Sequence, residues 1–319
     1  MTAINAPATQ AQTVSDWGYS AAFLQPVLLQ ELAERLNPVV AGLLPKVGDV
    51  AGSGSNTLRR RQVGGIGYST YMAAMATEVA AGSASGFTST YSDITIGRYH
   101  LAYEEAAQRA IVQQDGLTIE ALASATVDSY LRTLRRLMCS SATGISTAKG
   151  TSGAALDTDD WFALVAAFEE TEGYEGSAIA ILHPEQLTDL RTSLRSYTGF
   201  QFPEPTEGQQ SLGSAMGLGM GGSLLGIQIF KSVDVNSSGG DHVGFAFAPG
   251  VFGFATGDTS RVPVPMGAEP VALPEWGLLL TKSFAGATTV NRVDANAFVG
   301  VGRVNAAVLP QFRVLSIND

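Results

Sequence analysis

The chain has 319 residues, 45% hydrophobic and 15% charged, enough for a sizeable core in one large domain or two intermediate ones. Its net charge of −10, from 19 basic and 29 acidic residues, argues against dedicated nucleic-acid binding, because an acidic surface repels phosphates unless its basic groups cluster. A single cysteine, Cys139, excludes an intramolecular disulfide and a cysteine-built zinc cage.

The charged fraction is low against a usual ~25% and predicts surface hidden in permanent contacts. The opening stretch MTAINAPATQAQTVSD has neither a basic n-region nor an apolar h-region, so it does not read as a signal peptide. No run reaches the ~18 apolar residues of a membrane span. The expectation is a soluble chain with no membrane partner.

In chain order, residues 1–17 are small and polar and read as a flexible arm. A helix is predicted from Leu24 to Leu36, with Pro26 in its first turn, an apolar stripe of Leu28, Leu29, Leu32 and Leu36, and a stop at Asn37-Pro38. Residues 62–92 hold one charge, Glu78, and are dominated by Gly, Ser, Thr, Ala and Tyr. Such a stretch cannot bury a core of its own and should lie on something else, a neighbouring subunit or otherwise as a surface loop. Asp93–His100 alternates as a strand does, and a short helix is expected over Glu104–Gln113, ended by Gly116. Thr118 then precedes the most regular helical pattern, with Ile119, Leu122, Ala123, Val127, Tyr130, Leu134, Leu137 and Met138 at spacings of three and four. Residues 141–157 read as a small-residue connector.

Beyond it, helices and strands alternate. Thr158 is the expected cap of the helix DDWFALVAAFEE, and Ser177–Leu182 reads as a buried strand. His183-Pro184 opens the helix EQLTDLRTSLRSY, and residues 199–223 read as loop. Strands are predicted at Leu224–Val235, Val243–Ala248 and Val251–Ala255, and the chain is mostly β from Glu275 onward. No repeat is present at the ~20–50-residue periods of solenoids.

Chemistry-bearing motifs are sparse. His100, His183 and His242 are not at metal-ligand spacing from one another, and each reads as structural. The run Gly217-Leu218-Gly219-Met220-Gly221-Gly222 precedes a strand and not a helix, the reverse of a dinucleotide loop. Asp159/Asp160 and Glu169/Glu170 sit at helix ends, where dipole and solvation account for them. Arg132, Arg135 and Arg136 share a helix face and, like Arg59–Arg61, read as solvated or as intersubunit salt-bridge partners, with DNA contact as the alternative. No catalytic, cofactor-binding or metal residues are assigned, no cofactor is expected, and the chain does not read as an enzyme.

The order of segments resembles the HK97-fold major capsid proteins of tailed bacteriophages over roughly residues 20–317. The N-terminal arm corresponds to Ser15–Lys46, the extended loop to about Arg59–Ser92, the strand leaving it to Asp93–Glu105 and the spine helix to Thr118–Ser140, followed by the small-residue turn SSATGIS. SAIAILHPEQLTDLRTSL, LLGIQIFKSVDV and HVGFAFAPGVFGFATG resemble the axial-domain strands and helix of that family. WGLLLTKSF and AFVGVGRVNAAVLPQF resemble its peripheral strands. The resemblance implies an α+β fold divided into an N-terminal arm (1–46), an extended β-hairpin loop with flanking strands (47–100), a spine helix and connector (101–157), an α/β axial domain (158–266) and β-rich peripheral strands (267–319). It also implies self-assembly into pentamers and hexamers of an icosahedral shell around double-stranded DNA, held without sequence-specific contact, in the virion after assembly in the host cytoplasm. Because no scaffold-like segment precedes the arm, a separate scaffolding protein is expected, together with a portal and a decoration or cement protein. An encapsulin-like nanocompartment shell is the alternative, and a monomeric α/β enzyme a remote one. Some relatives cross-link through a lysine in the extended loop. The lysines here are Lys46, Lys149, Lys231 and Lys282, none of them in that loop, so a non-covalent shell is expected.

Overall fold

A computed structural model describes residues 21–50, 55–64, 88–106, 119–171, 176–195, 219–264, 268–285, 290–306 and 309–317. No helix among them is long and apolar enough to cross a membrane.

Two helices pack together on one side. Helix α1 spans Ala21–Gly42 and the long helix α2 spans Ile119–Ala142. The three-and-four spacing in α2 buries Leu122, Ala123, Val127, Tyr130, Leu131, Leu134 and Met138, and α1 contributes the fully buried Leu28 and Leu32 to the same core. Helix α1 does not stop at Asn37-Pro38 but runs on to Gly42. An interior proline costs about 3 kcal/mol, and here tertiary packing of α1 overrides that local preference.

The first sheet is built around β14 (Val290–Arg303). It pairs antiparallel with β13 (Leu278–Ala285) and β11 (Phe252–Thr256) and, over Gly97–Ala106, with β4. β12 (Glu269–Leu273) joins β13, and β1 (Lys46–Asp49) runs parallel to β11. The predicted helix over Glu104–Gln113 is corrected at its start: Glu104–Ala106 are strand, paired with Val290–Arg292. A distant ladder satisfies their backbone groups, a gain local propensity cannot report. Residues 107–118, including Thr118 and Gly116, lie outside the described residues.

The second sheet has the order β5-β15-β10-β6-β8-β7, with β9 on β10. Its strands are Ala148–Lys149, Gln311–Ile317, Asp241–Phe247, Ala178–Leu182, Ile227–Lys231 and Gly219–Leu224, with β9 at Asn236–Ser238. Helices α3 (Thr158–Glu169) and α4 (Pro184–Arg195) cover one face. The period of two divides each strand between two cores. Ile179, Ile181, Phe245 and Phe247 join the core of the long helix, whereas Ala178, Ala180, Leu182 and Ala246 meet Trp161, Leu164, Phe168, Leu187 and Leu190.

Two local expectations change here. Asp157, not Thr158, caps α3: its carboxylate accepts from the Asp160 backbone N–H at 2.8 Å. Thr158 is instead buried, with its hydroxyl 2.6 Å from that of Ser193. Gly219–Leu224 is a strand and not loop, paired with β8 through a two-residue hairpin at Leu225-Gly226. Both turn residues have positive φ, 53° and 81°, an arrangement that suits Gly but strains Leu.

Candidate functional site

Strands β2 (Thr57–Gly64) and β3 (Thr88–Thr95) form a two-stranded ribbon in unbroken register, Thr57 opposite Thr95 through Gly64 opposite Thr88. Among the described residues it pairs with no other sheet. Residues 65–87, the middle of the predicted 62–92 arm, lie outside the described residues. A two-stranded ribbon alone is marginal in water, so its base must be anchored. Ile94 and Ile96 are buried there with Val50, Ala255 and Val304, and the Ile96 N–H donates to Asn56 O at 2.7 Å. Two glycines of β14 allow the close approach. A Cβ on Gly300 would run into the backbone carbonyl of Thr95, and one on Gly302 would lie 2.8 Å from Ile94 Cγ1.

Further out, the ribbon has little of its own. Arg59 donates two hydrogen bonds of 2.9 Å to Asp93, and its guanidinium lies 5.8 Å from the Tyr91 ring centre. The carboxylate raises the Arg59 pKa, and the Arg59 hydrogen bond holds the Asp93 carboxyl below its usual range. Both groups are open to solvent, where such a pair contributes little. Tyr91 is 60% exposed. Arg60 is exposed beside it, and the Arg61 side chain lies outside the described ones.

The other arginine group lands inside the chain. Arg135 and Arg136 both reach Asp234, on the turn between β8 and β9, with Nε–O distances of 2.6 and 3.3 Å. The expected intersubunit partner of these two is therefore an intrachain carboxylate; Arg132 is exposed. Asn236 adds a 2.7 Å bond to Cys139 O, so the end of the long helix is fixed to the second sheet. Burial pushes the Cys139 thiol up to about 12, which leaves it a poor nucleophile. Arg35 of α1 pairs with Asp128 of the long helix, and buried Tyr130 donates to Trp276 O at 2.8 Å.

The described part of the glycine run, Gly219–Gly222, lies in β7. Asp159 and Asp160 occupy the first turn of α3, and Glu169 and Glu170 its exposed end. His100 pairs with Asp294 across β4 and β14 at 2.8 Å.

His183 and His242, 59 positions apart in the sequence, meet. Their rings stack at 3.5 Å between centroids, and Glu185 reaches both: its Oε2 is 3.4 Å from His183 Nδ1 and in contact with His242 Nε2. Burial, and then the neighbouring His242, pushes His183 down, and the His242 hydrogen bond holds the Glu185 carboxyl low. Sequence spacing missed this cluster because β6 and β10 become neighbours only in the sheet.

No family model matches the sequence, and no curated protein matches it. Solved structures do match. A structure from Mycobacterium phage Che8 is 16% identical, with 86% of this chain and 90% of that one covered at a TM-score of 0.53. The capsid of an empty GTA particle is 13% identical, with 90% of each chain covered at 0.55. The fold is HK97-like. The holo-SrpI encapsulin complex from Synechococcus elongatus PCC 7942 shares it at 9% identity, with 81% of each chain covered and a TM-score of 0.53.

Proposed function

We propose that the chain is the major capsid protein of a tailed phage or phage-like particle, assembling as pentamers and hexamers into a shell that encloses double-stranded DNA. The HK97-like fold carries this reading, because the phage and GTA structures that share it build heads and particle shells. The ribbon supports it: a hairpin with a buried base and an exposed outer part is suited to lie across a second copy. Many modest interfaces then sum to a closed shell. The reading divides the chain into an N-terminal arm (1–46), an extended loop (47–100), a spine and connector (101–157), an axial domain (158–266) and peripheral strands (267–319). It places the chain in the virion, with a separate scaffolding protein, a portal and a decoration protein as partners.

An encapsulin-like shell is the second reading, favoured by the fold shared with the SrpI complex. Electron microscopy of the purified chain tests both: closed shells support assembly, and a folded monomer under all conditions overturns it. Packaged DNA then supports the first reading, and a packaged protein cargo the second.

A further inference from the structure

The stacked histidine pair has a use that shell assembly does not require. Two imidazoles and one carboxylate come together from three backbone positions. His183 lies between β6 and α4, Glu185 in the first turn of α4, and His242 in β10. One ligand atom from each lies within 4.8 Å of the other two.

The two histidine backbones are held in place by a single buried side chain. Gln186 is fully buried, and its Oε1 accepts from the His183 backbone N–H at 2.9 Å. Its Nε2 donates to His242 O at 3.1 Å and to Val314 O at 2.9 Å. Gly244 makes room for it, since a Cβ there would lie 2.6 Å from that same Oε1. Donors fixed by buried hydrogen bonds are what a preorganised site needs. His242 is 5% exposed and turns its Nε2 to Glu185, while its Nδ1, the other ring nitrogen, is buried with no hydrogen-bond partner among the described residues.

We propose that His183, Glu185 and His242 form a binding site for a divalent transition-metal ion of the zinc class, which fastens the start of α4 to β10. Two imidazole nitrogens and one carboxylate oxygen suit such ions, whereas magnesium and calcium prefer all-oxygen sets. Metal–ligand bonds of ~2.0–2.2 Å put tetrahedral donors a little over 3 Å apart. The 3.4 Å edge from His183 Nδ1 to Glu185 Oε2 already has that length. The His242–Glu185 edge must open and the stacked rings must turn so that both in-plane lone pairs meet the ion; Glu185, half exposed, turns outward. Water completes the coordination.

The test is zinc titration of metal-stripped, untagged, full-length chain, read by bound metal after gel filtration and by thermal unfolding. One zinc ion per chain and a raised thermal midpoint are expected, with no shift on adding magnesium. E185Q and H242Q should each weaken binding by about tenfold or more, and H100Q should not. The Glu185 side chain is 49% exposed, so E185Q, checked for cooperative unfolding, decides the matter even if H242Q does not fold. Absence of saturable zinc binding, or unchanged zinc binding in E185Q, overturns the site. Shell formation is scored separately by microscopy, so failure of the site and failure of the capsid reading are distinguishable.

Discussion

The β2–β3 ribbon and the α3–α4 layer are built in opposite ways. In the layer, Trp161 and Phe168 are fully buried, and Phe168 meets Phe312 edge to face at 4.9 Å. In the ribbon, the ladder is complete, but among the described side chains Ile94 is the buried one, with Ile96 just past its end. One region supplies its own core and the other borrows one at its base only. Hydrogen-bonded pairing can therefore be fully satisfied in a segment that gains little from burial, and such a segment is stabilised by whatever lies against it.

The sharpest way to break this contrast is to remove the ribbon. Deletion of residues 62–92 should abolish shell formation while leaving the cooperative urea unfolding of the remainder nearly unchanged; normal shells from the deletion variant would refute the interface role. The converse change is Phe168→Ala, which should cost about 3–5 kcal/mol in urea unfolding, because the cavity lies between a helix and a fully packed sheet. Third comes the connection between the long helix and the second sheet. Asp234→Ala leaves Arg135, 11% exposed, without its carboxylate and should cost about 3 kcal/mol, whereas Arg136→Ala, at 76% exposure, should cost less than about 1 kcal/mol. Similar losses for the two variants would refute the buried role of Arg135. At the ribbon base, Gly300→Val should cost about 1–3 kcal/mol and speed amide exchange in β3, because the obstructing atom is a backbone carbonyl. The smallest effect belongs to the β7–β8 turn. Leu225→Asn should raise stability by about 0.5–1 kcal/mol, since Asn tolerates the positive φ that Leu does not.

Legibility followed the range of the forces involved. The long helix, β6, α4 and the two strands β10 and β11 are readable because each carries its own period and its own punctuation: the stripe from Leu122 to Met138, His183-Pro184, and Pro249-Gly250. The misreadings fell where two signals compete. Thr158 and Asp157 are adjacent and both suit a helix start, and burial of Thr158 against Ser193 decides between them. Glu104–Ala106 have helical neighbours in composition but a strand partner 186 positions away. The glycines of β7 read as loop, and only the pairing with β8 makes them strand.

By itself, then, the sequence determined the local elements, the acidic and cysteine-poor character, and the order of segments from which the HK97-like resemblance was drawn. Those properties depend on residues within a few turns of one another. Tertiary structure alone decided that Arg135 and Arg136 share Asp234, that Gly300 clears a path for the ribbon, and that His183, Glu185 and His242 converge. Each of these depends on which strands become neighbours in a sheet, and that is fixed by the burial of whole faces, not by the spacing of residues along the chain.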